Sequence, residues 1–316
     1  MVDFVEINGA RLAYRVAGPE DAPLMITLHG GRGMGEHEHY SVSDFARLSS
    51  CSGDHRSDFK VYSQLSDKIR VLSFDYRGHG QSSLTKPYTF EQIVDDIEGV
   101  RQHFAGAKQV IICGGSFGGF LAQHYAIKYA PKVSHLILRG TAASHHHEAG
   151  AIKTLEERIH KVPSFSVDML RNKVFGAYES DREFQLIYFA MMPLYREVFD
   201  PDAALKSNLD GVYVAESHSK LTMPVENRFS KLTVFLDDLY SEKEKYFDYT
   251  DRLSQITAKT LVVVGDKDWI CPPENSKLIA EKIPGAELFM VENANHGVHA
   301  EKPEVVLPKI RRHLNI

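Results

Sequence analysis

The chain has 316 residues, 43% of them hydrophobic and 25% charged, and its formal net charge is −5 at pH 7. It can therefore bury a substantial core and has room for an insertion beside one large domain. The mild acidity, spread without basic clusters, argues against nucleic acid or an anionic membrane as the main partner. No apolar run approaches the roughly 20 residues that a membrane-spanning helix needs.

The N-terminus and the cysteines bear on the cellular compartment. Residues 1–6 lack the basic start and the long apolar stretch of a signal peptide. Three cysteines, Cys51, Cys113 and Cys271, do not make a disulfide framework. We therefore expect a cytoplasmic, reducing location. The sequence carries no signal for an oligomeric state.

In chain order, the predicted elements begin with a hairpin. Residues 2–7 and 11–17 alternate around the turn signal Asn8-Gly9, which favours two antiparallel strands. Later apolar runs predict strands at 24–28, 69–74, 109–113, 133–138, 260–264 and 287–291. The polar tract 36–68 is too long for an ordinary loop, so we expect a mobile rim, a short helical excursion or part of a cap.

Helix signals lie between several of these strands. Thr89-Phe90-Glu91-Gln92 has the spacing of a capping box, and the apolar stripe that follows predicts a helix packed on the sheet. A second helix follows the strand at 109–113 and is stopped by Pro131. Prolines open a third helix at 273–283, and an amphipathic helix is predicted at 305–314.

Residues 144–250 predict a helical cap inserted into a core formed by 1–143 and 251–316. In this block the strand alternation disappears and helix-like stretches dominate. Its aromatic and methionine-rich run 188–195 makes Tyr188 and Met192 candidate pocket residues. Packing between helices is the alternative interpretation of that run.

The run Gly114-Gly115-Ser116-Phe117-Gly118 joins a predicted strand to a predicted helix. It is typical of a nucleophile elbow, in which glycines stand two residues on either side of the serine. Any side chain there would collide with the neighbouring strand and helix. The turn places the Ser116 hydroxyl above a helix N-terminus, whose partial positive charge favours developing negative charge. Ser116 is therefore the candidate nucleophile.

The loop His29-Gly30-Gly31-Arg32-Gly33 follows the predicted strand at 24–28. In acyl transfer the carbonyl oxygen acquires negative charge, which two backbone N–H groups can hold. The positions that this pattern indicates are Gly31 and Phe117, the residue after the candidate nucleophile. The two residues are predicted to form an oxyanion hole.

A candidate acid and a candidate base follow the last two predicted strands. His296 would take the proton of the serine and return it to the leaving group. Asp268 is favoured as the acid that holds the imidazole, because the loop needs a few residues to reach the histidine; Asp266 is its rival. Along the chain the candidate serine comes first, the acid second and the histidine third. This is the order expected of hydrolases whose serine lies on a nucleophile elbow.

Three sets of residues resemble one known family. They are His29-Gly30-Gly31-Arg32-Gly33-Met34, Asp75-Tyr76-Arg77-Gly78-His79-Gly80-Gln81-Ser82, and the loops with Ser116, Asp268 and His296. Over nearly the whole chain they are similar to the α/β-hydrolase superfamily, and within it to the proline iminopeptidase group. The resemblance implies an α/β-hydrolase fold, with a mostly parallel eight-stranded sheet flanked by helices and an inserted helical cap.

Several positions bear on the substrate. The iminopeptidase group has proline where this chain has Arg32, and some members have glutamate where this chain has Trp269. The group binds a free substrate amine with acidic residues of its cap and active-site rim. Glu216 is the candidate anchor here, with Glu226 and Asp237 as competitors. Arg32 lies beside the oxyanion loop, where a cation could contact an anionic substrate group.

No metal or cofactor is predicted. His145-His146-His147 lacks the i, i+4 histidine pair of a helix-borne zinc site, so we expect a solvated cap entrance there. The glycines at 31, 33 and 35 do not match the dinucleotide-binding spacing. Cys271 has no paired base in the sequence, and we expect it to be a small buried residue.

We interpret the chain as a serine hydrolase that cleaves an ester, lactone or amide bond of a small molecule through an acyl-enzyme intermediate. Haloalkane dehalogenases and epoxide hydrolases of the fold use aspartate at the elbow, so Ser116 disfavours their chemistry. Two alternatives stay open. One is an aminopeptidase that releases an N-terminal residue, and the other is a ligand receptor of the same fold with slow turnover.

Overall fold

The computed structural model describes residues 2–31, 34–36, 55–174, 178–215 and 246–316. The strands in these ranges are β1 (Asp3–Ile7), β2 (Ala10–Ala17), β3 (Leu24–Leu28), β4 (Met34–Glu36), β5 (Arg70–Phe74), β6 (Val110–Gly115), β7 (Val133–Arg139), β8 (Gly211–Tyr213), β9 (Lys259–Gly265) and β10 (Glu287–Val291). The α-helices are α1 (His55–Tyr62), α2 (Phe90–Ala105), α3 (Phe117–Lys128), α4 (His147–Arg158), α5 (Val167–Val174), α6 (Asp181–Met191), α7 (Pro201–Asp210), α8 (Pro273–Lys282), α9 (Val298–Glu301) and α10 (Pro303–Leu314). None of these helices combines the length and the apolar composition that crossing a bilayer requires.

One sheet of eight strands organises the fold, in the order β1-β2-β5-β3-β6-β7-β9-β10. Strand β2 is antiparallel to both of its neighbours, and every other neighbouring pair is parallel. The β1–β2 hairpin turns at Asn8 and Gly9, as the alternation predicts, with Ile7 opposite Ala10. The predicted fold class is therefore confirmed.

Two layers of helices cover the sheet because successive side chains of a strand point to opposite faces. Ile26 and Ile112 belong to a buried cluster that includes residues of α2, α3 and α8. Their neighbours Met25 and Ile111 belong to a second cluster with residues of α1 and α10. Burial on both faces explains why the central strands are continuous apolar runs.

Helices α4 to α7 lie between β7 and β9 in the chain, within the predicted cap. We call residues 144–250 the helical segment. Their apolar side chains share a separate buried cluster, which includes Leu155 and Phe184. Trp269, from the loop after β9, belongs to the same cluster. The helical segment therefore packs on that loop, while its exact boundaries stay a prediction.

Three places bear on alternatives that the sequence left open or predicted differently. Within the tract 36–68, residues His55–Tyr62 form helix α1, whose His55 and Asp58 side chains are buried, in keeping with the helical-excursion alternative. Residues 37–54 lie outside the described ranges. The helical segment contains a strand, β8, which pairs with β4 and is too short to show alternation. The expected solvated entrance at 145–147 is wrong for His147, which is buried against Phe120.

Candidate active site

Ser116 stands on the turn between β6 and α3 with a backbone φ of 51° and ψ of −124°. A positive φ is strained for a residue with a Cβ atom. The Ser116 N–H donates to the carbonyl oxygens of Arg139 and Gly140, each at 3.1 Å, which holds the turn against the end of β7. Ser116 is half-buried, while its neighbours from 110 to 119 are buried. The turn thus presents this residue at the carboxyl edge of the sheet.

Close contacts explain the glycines on either side of this turn. A Cβ atom on Gly118 would overlap the carbonyl oxygen of Leu28, at the end of β3. A Cβ atom on Gly114 would overlap the carbonyl oxygen of Gly118 in the first turn of α3. Helix α3 can therefore begin directly beside two strands because neither position has a side chain.

Asp268 and His296 form a buried hydrogen-bonded pair. The His296 Nδ1 atom lies 2.9 Å from Asp268 Oδ2 and 3.0 Å from Asp268 Oδ1. The same carboxylate accepts the N–H groups of Ile270 and Cys271 at 3.1 and 2.9 Å, which fixes its orientation. The rival Asp266 instead accepts the N–H of Ala294 at 3.3 Å. The structure thus brings Asp268, and not Asp266, to the histidine.

Gly140, at the end of β7, connects Ser116 with this pair. Its carbonyl oxygen accepts the Ser116 N–H. A Cβ atom on Gly140 would lie 2.8 Å from Asp268 Oδ2 and 3.3 Å from His296 Nδ1. The three candidate triad residues therefore meet around one glycine. Within the described residues the Ser116 hydroxyl makes no hydrogen bond. In free enzymes the hydrogen bond between a catalytic serine and its histidine is often long and tightens only when substrate binds.

Gly31 and Phe117 lie on neighbouring elements at the same edge. Strand β3 pairs with β6, with Leu28 opposite Gly114. Gly31 follows the end of β3 with a φ of 65°. Phe117 is the first residue of α3, where backbone N–H groups point out of the helix end. The pairing of β3 with β6 therefore brings the Gly31 loop and the first residue of α3 to the same edge of the sheet.

Buried polar groups form hydrogen bonds with the first residues of the loop that carries Gly31. His29 Nδ1 donates to the carbonyl oxygen of Gly30 at 2.7 Å, and the Tyr76 hydroxyl donates to the His29 carbonyl at 2.8 Å. Burial lowers the pKa of His29, which keeps the ring neutral. Asp75 lies 2.8 Å from His55 Nδ1. Burial alone would raise the pKa of Asp75, but the adjacent His55 ring lowers it, so the carboxylate stays charged.

The predicted substrate-binding residues lie in different environments, and some lie outside the described residues. Trp269 is buried and packs edge-on against Tyr195, with ring centroids 5.1 Å apart. Tyr188 and Met192 lie in the buried cluster of the helical segment, in keeping with the helix-packing alternative. Arg32, Glu216, Glu226 and Asp237 lie outside the described residues.

Among the described residues of the helical segment, Tyr195 packs near the candidate histidine. Its ring centroid lies 5.8 Å from that of His296 and 5.9 Å from that of Tyr188. The sequence analysis included Tyr195 in the run 188–195 but did not select it. Its approach to His296 depends on how the helical segment packs, so no local pattern in the sequence selects it.

Neither a thiol nor a metal centre competes with this arrangement in the described ranges. Burial raises the pKa of the Cys271 thiol well above its ordinary value, so the residue is a neutral, buried group. Among the described residues, no three His, Cys, Asp or Glu side chains are grouped so as to hold a metal ion.

Comparison with known proteins identifies the family. A family profile described as alpha/beta hydrolase fold matches residues 23–303. The chain belongs to the α/β-hydrolase family. It is a serine hydrolase of this fold, either esterase-like or aminopeptidase-like.

This α/β-hydrolase is 66% identical over 315 residues to proline iminopeptidase PfmaB of Pestalotiopsis fici, and the match covers 99% of each chain. It is 28% identical over 298 residues to proline iminopeptidase of Thermoplasma volcanium, covering 93% of this chain and 89% of the relative. The crystal structure of a Mycobacterium smegmatis proline iminopeptidase is similar in fold, with a TM-score of 0.66, 20% identity and coverage of 99% and 98%. The predicted resemblance to the proline iminopeptidase group is therefore confirmed.

Proposed function

We propose that this α/β-hydrolase cleaves an ester, lactone or amide bond of a small molecule, with Ser116 as the nucleophile. The observation that carries the proposal is the buried Asp268–His296 pair, which meets the Ser116 turn at Gly140. A serine is a weak nucleophile unless a base takes its proton. We take the imidazole of His296, at the same edge of the sheet, as that base.

In the proposed reaction, His296 Nδ1–H donates to Asp268, which leaves Nε2 able to accept the Ser116 proton. The serine oxygen attacks the carbonyl carbon, and the oxygen of the resulting tetrahedral intermediate is held by the N–H groups of Gly31 and Phe117. His296 then protonates the leaving alcohol or amine, and an acyl-enzyme forms. Water, activated by the same imidazole, releases the acid and restores Ser116.

We further propose that the helical segment is a cap over this site. Two contacts support this role. Its cluster includes Trp269, the residue directly after Asp268, and its Tyr195 ring packs near His296. A segment that packs on Trp269 and near His296 would form a wall of the substrate pocket beside the proposed base.

Ser116→Ala tests the nucleophile assignment with p-nitrophenyl acetate as the probe. We expect the hydrolysis rate to fall by roughly a thousandfold or more while the circular dichroism spectrum is unchanged. Ser134→Ala is the matched control, because its hydroxyl bonds the Val110 carbonyl at the opposite edge of the sheet and its loss should leave the rate unchanged. Retained turnover in Ser116→Ala contradicts the proposal.

Aminopeptidase activity is the second candidate, favoured by the 66% identity to a protein named proline iminopeptidase. Such an enzyme needs a carboxylate for the substrate amine. Glu197 is a carboxylate of the helical segment near the site, but it already pairs with Arg158 and accepts from Asn295. The anchor would therefore come from Glu216 or its competitors.

Proline p-nitroanilide and its N-acetyl derivative separate the two candidates. An aminopeptidase should cleave the free-amine compound much faster, because the acetyl group removes the charge that a carboxylate binds. Equal rates on both compounds exclude amine recognition and favour the ester or lactone hydrolase. Rapid multiple turnover on either compound contradicts the receptor alternative.

A further inference from the structure

Asn295, the residue before His296, is fully buried and connects two parts of the molecule. Its Oδ1 atom accepts the backbone N–H of His296 at 2.8 Å. Its Nδ2 group donates to the carbonyl oxygen of Leu194 at 3.1 Å and to Glu197 Oε1 at 2.9 Å. One amide thus binds the histidine backbone on one side and the helical segment on the other.

The partners of Asn295 in the helical segment are themselves fixed. Leu194 is buried within the short turn that ends at Tyr195. Glu197 forms an ion pair with Arg158, at the end of α4, and lies 3.7 Å from Lys161. The amide of Asn295 is therefore attached to the same stretch of chain whose Tyr195 ring packs near His296.

The backbone of Asn295 is also bound by a third element, helix α9. Its N–H lies 3.2 and 3.3 Å from the two carboxyl oxygens of Glu301, on α9. Asn295 is thus bound to α9 through its backbone N–H and to the helical segment through its side chain. These hydrogen bonds restrict the backbone of the loop that carries His296.

We propose that Asn295 is a positioning residue through which the helical segment orients His296 for proton transfer. This inference rests on the proposed function of Ser116 and His296. When the helical segment is in place, Leu194 and Glu197 hold the amide, and the amide holds the His296 backbone. When the segment shifts, the histidine loses this restraint, so proton transfer depends on the position of the segment above it.

A series at Glu197 tests the inference without changing a buried residue, because this side chain is 31% exposed. Glu197→Ala removes the acceptor, and we expect kcat for p-nitrophenyl acetate to fall about three- to tenfold with KM within about twofold. Glu197→Gln keeps an acceptor for Asn295 Nδ2, so kcat should stay within about twofold of the parent. Arg158→Met removes the ion pair and leaves the Asn295 contact intact, so it should behave like Glu197→Gln.

Asn295→Ala removes the hydrogen bonds to Leu194, to Glu197 and to the His296 N–H. We expect kcat to fall by roughly thirty- to a hundredfold, since misplaced catalytic groups lose rate steeply. In the double variant Asn295→Ala/Glu197→Ala, the second change should cause no further loss because both act through one hydrogen bond. Thermal unfolding of each variant separates lost rate from lost fold. If Asn295→Ala does not fold, the Glu197 series decides alone.

Equal kcat in Glu197→Ala and Glu197→Gln overturns the inference, as does a double variant whose losses multiply. Equal losses in Glu197→Ala and Arg158→Met also overturn it, because the ion pair rather than the Asn295 contact would then matter. These results leave the hydrolase proposal intact if Ser116→Ala is inactive. An active Ser116→Ala instead removes the proposed function itself.

Discussion

Asp58 of α1 and Arg139 at the end of β7 form a buried ion pair next to the turn that bears Ser116. The guanidinium packs against Gly115, and the Arg139 carbonyl accepts the Ser116 N–H at 3.1 Å. His299 Nε2 lies 3.2 Å from the same Asp58 carboxylate. Burial opposes the charge of both partners, yet their attraction lowers the pKa of Asp58 and raises that of Arg139. Helix α1 is thereby attached to the candidate active site.

Removing one partner of this pair should be far worse than removing both. Asp58→Asn leaves the Arg139 charge buried without a counter-charge, and we expect it to cost about 3–5 kcal/mol in the free energy of unfolding. The double variant Asp58→Leu/Arg139→Met replaces the pair by apolar groups and should be more stable than Asp58→Asn. Urea unfolding measures both. A double variant less stable than the single one contradicts this prediction.

Because the backbone at Ser116 is strained, we expect a variant that relieves the strain to be more stable although it is inactive. Ser116→Gly relieves the positive φ, whereas Ser116→Ala keeps it. We expect the glycine variant to be more stable than the alanine variant by about 1 kcal/mol, after the entropy that glycine adds to the unfolded chain. Both should be inactive. Thermal unfolding provides the comparison.

Ala149→Gly, on α4, is the control for this comparison. There the ordinary helical backbone should make glycine the less stable choice, by about 1 kcal/mol. If glycine fails to stabilise position 116 relative to alanine, the turn is not strained in solution.

His299 predicts a loss of stability in weak acid. Burial, followed by the nearby Arg139 charge, lowers its pKa from 6.5 to about 4. Between these values the unfolded chain binds a proton that the folded chain does not bind, so the free energy of unfolding falls as the pH falls. By about pH 5 the contribution amounts to about 2 kcal/mol.

Urea unfolding at about pH 7.5 and about pH 5 checks this effect, with His299→Gln as the comparison. The glutamine keeps a donor for Asp58 but does not titrate. Its free energy of unfolding should therefore change less between the two pH values than that of the parent. An identical pH dependence in the two proteins would show that His299 is not the titrating group.

The choice between the two loop aspartates can be measured directly. Asp268→Asn cannot hold His296 in the tautomer that accepts the serine proton, so we expect kcat for p-nitrophenyl acetate to fall roughly a thousandfold or more. Asp266→Asn keeps an oxygen for the Ala294 N–H and should leave kcat within about threefold. Comparable losses in the two variants would refute the assignment of Asp268.

Local signals in the sequence were sufficient for the elements that form the sheet and for the turn at Ser116. The run 24–28 is found unchanged as β3, and the capping box at Thr89 begins α2, with the Thr89 hydroxyl accepting the Gln92 N–H at 3.2 Å. Helix α1 is different, because its buried groups His55 and Asp58 are polar. Their burial depends on partners that no local pattern contains.

The sequence by itself determined the strands of the large sheet and the motif around Ser116, because each depends on residues a few positions apart, and its resemblance to a known family implied the fold class. Tertiary structure decided which side chains meet. Asp58 and Arg139 are 81 positions apart, and Asn295 and Glu197 are 98 apart. The contact with His296 distinguishes Asp268 from Asp266, two positions away. Such pairings form because segments that are distant in the sequence converge at one edge of the sheet. A hydrogen bond or an ion pair depends on distance in space, not on distance along the chain.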